Sequence, residues 1–162
     1  MMTLRCTRKL LNHLPSPTID DDAETTTILG DWYANLLSIR NRWVVLCISE
    51  RTLIPVVIPA RTFLTFVGRF REAVLLDLVA IGVPSATVEA EAHAMQAIDV
   101  GKTASRRVLG SLNDFAHECR WRLTESPDAD LGVLSLQMAR VPCAPLDYEY
   151  PSDATLKLFG AA

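Results

Sequence analysis

The chain has 162 residues, of which 49% are hydrophobic and 22% are charged, and its formal net charge is −3. This length and composition predict a single folded domain spanning residues 1–162. They exclude a wholly disordered chain, because disorder requires low hydrophobicity and high charge density. The slightly acidic balance disfavours nucleic acid as a partner.

The sequence also indicates a compartment. The most apolar stretch, residues 73–83, contains Asp77 and has about half of the roughly 20 residues that a membrane-spanning helix needs. No C-x-x-C pair occurs among the four widely spaced cysteines, which are Cys6, Cys47, Cys119 and Cys143. An aliphatic-rich chain of this size needs no disulfide scaffold, so we expect free, mostly buried thiols in a cytoplasmic protein without membrane association.

The first elements are short. Residues 2–14 are predicted to form an extended segment and then a helical turn, with Thr7 as its N-cap and Pro15 ending it. Residues 15–27 are rich in Pro, Ser, Thr and Asp and have no hydrophobic period. We interpret them as a mobile loop, and the acidic run at 20–22 as a solvated connector.

Residues 30–60 carry the β-strand signal. Three short β-branched runs, at 32–39, 43–48 and 53–58, are separated by three or four polar residues, which predicts an antiparallel meander of hairpins. The middle run is apolar on both faces, so both faces should be covered. Pro55 cannot donate a ladder hydrogen bond and places the third strand at an edge or a bulge.

The hydrophobic period then becomes helical. Residues 63–81 form an apolar stripe that predicts a helix packed on the sheet and ended by Gly82 and Pro84. The other predicted elements are a helix at 85–97, a short strand at 98–100, a helix over 108–123 with Ser105 as N-cap, a helix starting at Ser126-Pro127, and one starting at Pro151. The fold class is therefore α+β, a small antiparallel meander covered by several α-helices.

Familiar chemical motifs are incomplete. Gly101-Lys102-Thr103 resembles the end of a P-loop, but the glycine required five residues earlier is Gln96. The histidines lie far apart, and no ligand pair has the spacing of a metal site. Ser111, Asp114 and His117 follow one another along a single helix face, whereas catalytic triads draw on separate elements. We therefore assign no catalytic residue, metal or cofactor.

Two polar clusters remain as candidate ligand-binding surfaces. The first is Asp31, Trp32 and Asn35 at the start of the predicted meander, where amide and aromatic side chains could contact a ligand; the alternative is an Asn35 that satisfies the sheet edge. The second runs from Lys102 and Arg106 to Ser111, Asn113 and Asp114. Cations beside the N-terminus of a helix suit an anion.

Gly110 lies inside the second cluster. A glycine within a helix costs roughly 1 kcal/mol relative to alanine. Close backbone packing would explain its presence, and so would the approach of a ligand.

Four segments carry a resemblance to a known family: LRCTRKLL at 4–11, GDWYANLL at 30–37, SERTL at 49–53 and VLGSLNDF at 108–115. Together they resemble a bacterial family of small intracellular proteins whose domain has no known function. The resemblance covers nearly the whole chain and implies a stand-alone bacterial domain. It implies no catalytic residue, cofactor or substrate. The distinctive segments coincide with the two polar clusters, which suggests one shared surface.

Our leading hypothesis is a non-enzymatic binding module for a protein partner or a small anionic ligand, with the two clusters forming a common site. The alternative is an enzyme acting on a phosphorylated or nucleotide-like substrate, in which Lys102 and Arg106 hold the anion and Asp114 or Asp31 is the base. A concave pocket containing an aspartate of raised pKa beside the cations would favour the enzyme. A flat surface with exposed aromatic side chains would favour the binding module. The sequence leaves the oligomeric state undetermined.

Overall fold

The computed structural model describes residues 1–15 and 23–161. It contains one mixed β-sheet with helices on both faces, so the α+β class is confirmed. The strands are β1 (Met2–Cys6), β2 (Trp32–Ile39), β3 (Arg42–Ser49), β4 (Pro55–Pro59) and β5 (Ile98–Lys102). The helices are α1 (Arg8–Leu11), α2 (Phe66–Ile81), α3 (Ser85–Ala94), α4 (Arg106–Glu125), α5 (Leu131–Met138) and α6 (Pro151–Leu158), with 3₁₀ turns at Phe63–Thr65 and Ala144–Leu146.

The sheet extends beyond the predicted meander. Its order is β4-β3-β2-β1-β5, and the antiparallel pairs β2–β3 and β3–β4 are those expected from the sequence. The expectation of a purely antiparallel sheet is wrong, because β1 pairs in parallel with both β2 and β5. Parallel pairing joins segments that are far apart in the chain, so no local turn pattern predicts it.

Local chemistry explains the meander. Arg40 and Asn41 both have positive φ, 47° and 63°, in the two-residue connection between β2 and β3, as a type I′ hairpin turn requires. Pro55 does lie in an edge strand. Helix α5 shields that edge, where the Ser135 hydroxyl accepts the Val57 N–H at 2.9 Å.

Alternating side chains of the strands fill two separate cores. On one side, here called the α2 face, Trp32, Ala34 and Leu36 pack with α1, α2 and α3. On the other side, the α4 face, Tyr33 and Leu37 pack with α4 and α5. The central strand β3 contributes to both cores, as expected from its unbroken apolar run.

The predicted N-cap of α4 and the predicted end of α2 are confirmed, but the predicted start of α5 is wrong. Ser105 caps α4 by accepting the Val108 N–H, and α2 ends at Gly82 with φ of 104°. The expected helix start at Ser126-Pro127 is wrong, since Asp130 is the N-cap of α5 and accepts the Val133 N–H. Asp130 offers the same cap chemistry as a serine.

Two helix ends also differ from expectation. Helix α3 ends at Ala94, three residues before the expected limit, and Met95 is its C-cap. Thr7 does not cap α1 through its side chain; its hydroxyl donates to Asn35 Oδ1 instead.

The expected mobile loop at 15–27 falls mostly on residues 16–22, which lie outside the described residues, as does the acidic run at 20–22. Its last part is held in place: the Thr26 N–H donates to the Met1 carbonyl at 2.8 Å, and the buried Thr27 donates to the Gly30 carbonyl at 2.7 Å. Within residues 1–15 and 23–161, no helix has the length and apolar character needed to cross a membrane.

Candidate functional site

Asp31, a predicted ligand-binding residue, joins strands of the sheet. Its Oδ1 accepts the Thr3 N–H at 2.9 Å, and its Oδ2 accepts from Arg5 Nε at 3.0 Å. Only 8% of the Asp31 side chain and 12% of the Arg5 side chain are exposed. Arg5 also donates to the carbonyl of Lys102, so the pair connects β2, β1 and β5. Both carboxylate oxygens of Asp31 are therefore engaged within the sheet.

Trp32 lies on the wrong side of the sheet for a surface shared with α4. Its ring is fully buried on the α2 face and meets Phe70 edge-on, with 5.2 Å between ring centroids. Helix α4 packs on the opposite face. The expectation that all the predicted residues form one common site is thus wrong, because the sheet separates Trp32 from the rest.

Asn35 and its neighbour Tyr33 lie on the α4 face and contact the ends of other elements. Asn35 Oδ1 accepts the Thr7 hydroxyl at 2.7 Å, just past the end of β1. The Tyr33 hydroxyl accepts the N–H of Ser105 at 3.0 Å and so fixes the entry to α4. Tyr33 and Thr7 were not among the predicted site residues, although strand alternation places Tyr33 and Asn35 on one face.

The carboxyl ends of β1 and β5 lie side by side, and the space beyond them is here called the β1–β5 crevice. These parallel neighbours end together, with Cys6 paired to Lys102. After β1 the chain enters α1, whose Leu10 packs on the α2 face. After β5 it enters α4 on the α4 face. Adjacent parallel strands whose next helices lie on opposite faces make a topological switch point, where open sheets bind ligands.

Three exposed cations lie at or just after the carboxyl ends of β1 and β5. Arg8 begins α1, Lys102 ends β5 and Arg106 begins α4, and all three residues are exposed. Among the described residues, none of these side chains forms a hydrogen bond or an ion pair. Arg107, by contrast, donates to the Pro145 carbonyl at 3.2 Å. Within the part of the chain that the structure describes, three positive charges are therefore available at one end of the sheet.

Ser111 and Asp114 belong to a different cavity. They line a space of about 350 Å³ between α4 and the segment after α5, and eight residues of helix separate Asp114 from Arg106, about 12 Å along the axis. The complete lining is Ser111, Asp114, Phe115, Glu118, Val141, Pro142, Cys143, Ala144, Pro145 and Tyr148. Burial, followed by the charge of Asp114, raises the pKa of Cys143 to about 11. The two charged side chains that line this cavity, Asp114 and Glu118, are both acidic, so it does not suit an anion.

Asn113 and Gly110 complete the second cluster. Asn113 is exposed on α4 and forms no side-chain hydrogen bond with the described residues. A Cβ added at Gly110 would meet nothing within 4 Å. Close packing among the described residues therefore does not explain that glycine.

The structure also clarifies the motifs that the sequence left incomplete. Gly101 lies within β5, paired with Arg5, and not in a loop that could surround phosphate; the short strand expected at 98–100 is confirmed and extends to Lys102. His13 stacks on Phe63 with 5.1 Å between ring centroids. Residues 1–15 and 23–161 contain no group of three or more His, Cys, Asp or Glu side chains that could hold a metal ion.

Comparison with known proteins identifies a family. A family model described as a domain of unknown function, DUF6933, matches residues 3–154, so the chain belongs to that family. No curated protein matches the sequence, and no solved structure matches the fold.

Proposed function

We propose that this member of the DUF6933 family is a non-enzymatic module that binds a small anion, such as a phosphate monoester, in the β1–β5 crevice. The observation that carries the proposal is the switch point itself: β1 and β5 end side by side, and the helices that follow them lie on opposite faces. Ligands of open sheets bind outside such strand ends.

The charges around the crevice suit a phosphate. Arg8, Lys102 and Arg106 come from three different elements, and convergence from several elements is what a binding site requires. An arginine guanidinium can donate two parallel hydrogen bonds to phosphate oxygens. Helix α4 starts at the same place, and its first backbone N–H groups, those of Arg106 and Arg107, have no acceptor among the described residues. The positive end of this 20-residue helix adds to the attraction.

The same arrangement supports binding over catalysis. An enzyme acting on the anion would need a base near Lys102 and Arg106. Both carboxylate oxygens of Asp31 accept hydrogen bonds, one from Thr3 and one from Arg5. Asp114 lines the cavity beside Cys143. The two carboxylates considered for that role are therefore engaged or directed elsewhere.

A titration tests the proposal. The ¹⁵N-labelled protein is titrated with inorganic phosphate and, separately, with a nucleoside monophosphate. We expect chemical-shift changes in the backbone amides of residues 102–107. Arg106→Ala should weaken binding about tenfold, the loss of one charge-assisted contact of about 1.4 kcal/mol.

Arg120→Ala is the matched control, because Arg120 is an exposed arginine of the same helix whose one hydrogen bond is to the Ser38 carbonyl. It should leave the dissociation constant unchanged, and both variants should unfold within about 0.5 kcal/mol of wild type. Equal weakening in the two variants would mean non-specific attraction, and no shift changes at millimolar phosphate would end the proposal. Turnover of the monophosphate would favour the enzyme instead.

A cytoplasmic location forms part of this proposal. All four cysteines lie within the described residues and are free, and three of them are buried. Reduced thiols suit a reducing compartment, where phosphorylated metabolites are also found.

A further inference from the structure

The outer surface of α2 carries an apolar stripe that no part of residues 1–15 and 23–161 covers. Leu76 and Val79 are 64% and 58% exposed, and Leu64, in the 3₁₀ turn before α2, is 87% exposed. Leu76 and Val79, with Val88 of α3, border a shallow groove, whose full lining is Gly68, Arg71, Glu72, Leu75, Leu76, Val79 and Val88. Adjacent exposed apolar side chains of this kind mark interaction surfaces.

Two opposite charges lie in the middle of the stripe. Arg71 and Glu72 form no hydrogen bond or ion pair with any described residue, and Arg71 Nε is buried without an acceptor. Neighbouring residues of a helix point in different directions and do not pair with each other. A partner that placed a carboxylate beside Arg71 and a cation beside Glu72 would satisfy both.

We propose that the partner is a second copy of this chain. The α2 helices of the two copies pack antiparallel, and the two-fold axis that relates them passes between residues 71 and 72. In this register Arg71 of each copy meets Glu72 of the other, which forms two equivalent ion pairs. The same register brings Leu64 opposite Val79 and Gly68 opposite Leu75, each contact occurring twice. A two-fold interface must be self-complementary in this way.

The charges select this register over its neighbours. Moving the axis to residue 72 would place the two copies of Glu72 against each other, and moving it to residue 71 would do the same with Arg71. Like charges placed against each other suppress association. Of these three positions, the axis between residues 71 and 72 is the one that pairs Arg71 with Glu72 while keeping the exposed apolar residues in contact.

Gly68 supports the close approach of the two helices. A Cβ at Gly68 would meet nothing within 4 Å, so packing among the described residues gives no reason for a glycine in the first turn of α2, where it is a poorer helix former than alanine. In the proposed dimer the missing side chain leaves room for Leu75 of the second copy. Since α2 spans only about 24 Å, the interface is small, and we expect a dimer that dissociates in the micromolar range.

Sedimentation equilibrium over roughly 1–300 µM protein tests the proposal. Wild type should pass from monomer to dimer across this range. Glu72→Arg should raise the dimer dissociation constant at least about tenfold, because two like-charged pairs replace two ion pairs. The double variant R71E/E72R has the wild-type composition with the charges exchanged, and it should restore the constant to within about threefold.

Two further variants keep the result interpretable. Asp128→Arg makes the same charge change in an exposed loop and should leave dimerisation unchanged. Gly68→Leu should abolish the dimer while the melting temperature of dilute protein does not fall, since leucine is the better helix former.

A wild type that stays monomeric throughout would overturn the proposal. So would a dimer that Glu72→Arg and Gly68→Leu leave intact, because association would then occur elsewhere, for example through the outer edge of β5.

Discussion

Asp77 provides the sharpest test of how this fold is stabilised. It lies on the inner side of α2 next to Val74 and Leu78, and only 8% of the residue is exposed. Its carboxylate forms no hydrogen bond or ion pair with any described residue. Burial raises the pKa of Asp77 from 3.8 to about 7. The carboxyl group is thus placed where its charged form is disfavoured, and replacing it should stabilise the protein.

The direction of the pH dependence follows from that pKa. Since the pKa of Asp77 is higher in the folded chain than in the unfolded chain, the unfolded chain loses its proton first as pH rises from 3.8. Stability therefore decreases with rising pH between about pH 4 and pH 7, and the full penalty applies above pH 7. At 1.36 kcal/mol for each pKa unit, the penalty is about 4 kcal/mol at pH 8 and about 0.6 kcal/mol at pH 4.

Asp77→Asn removes the charge and keeps the shape. Its free energy of unfolding, measured by urea denaturation, should exceed that of wild type by up to about 4 kcal/mol near pH 8 and by less than about 1 kcal/mol near pH 4. Asp128→Asn, at an exposed position, should change stability by less than about 0.5 kcal/mol at either pH. If Asp77→Asn destabilises the protein equally at both values, the carboxyl group makes a favourable contact and the burial argument fails.

The remaining predictions concern the sheet and the thiols. Arg5→Ala should destabilise the fold by about 3 kcal/mol in urea unfolding, because it leaves the nearly buried Asp31 without its ion-pair partner; a loss below about 0.5 kcal/mol would show that water replaces Arg5. Cys143 is only half-buried, but its raised pKa of about 11 keeps it protonated at neutral pH. In the native protein, Cys143 should therefore react slowly with iodoacetamide at neutral pH, as followed by mass spectrometry. Rapid labelling of Cys143 would contradict the raised pKa.

The sequence predicted the elements whose signals are local. The apolar period of α2, the meander and the Ser105 cap each depend on a few adjacent residues, and each occurs as expected. The parallel pairing of β1 with β5 depends on residues about 95 positions apart, such as Cys6 and Lys102. No pattern within either segment specifies that partner.

The predicted site residues lie in separate places because their surroundings also depend on residues distant in the sequence. The two polar clusters were defined by closeness in sequence, but adjacent residues of a strand point to opposite faces, so Trp32 and Asp31 reach different surroundings. Along α4, Arg106 and Asp114 are separated by more than two helical turns. The residue that connects the elements, Arg5, has a partner far along the chain in Asp31. Its role follows from pairing that local sequence does not encode.

The two proposed surfaces are compatible with each other. The stripe on α2 faces away from the sheet, since the opposite side of that helix, with Phe66, Phe70 and Val74, fills the core. The β1–β5 crevice instead opens past the carboxyl ends of two strands. A dimer through α2 would therefore leave both crevices open and present two anion sites on one particle. If the anion belongs to a larger partner carrying several such groups, the second contact becomes intramolecular and binding tightens without any new interaction. Glu72→Arg should then weaken binding of a ligand that carries two linked phosphate groups more than binding of inorganic phosphate. Equal effects on the two ligands would mean that the two sites act independently.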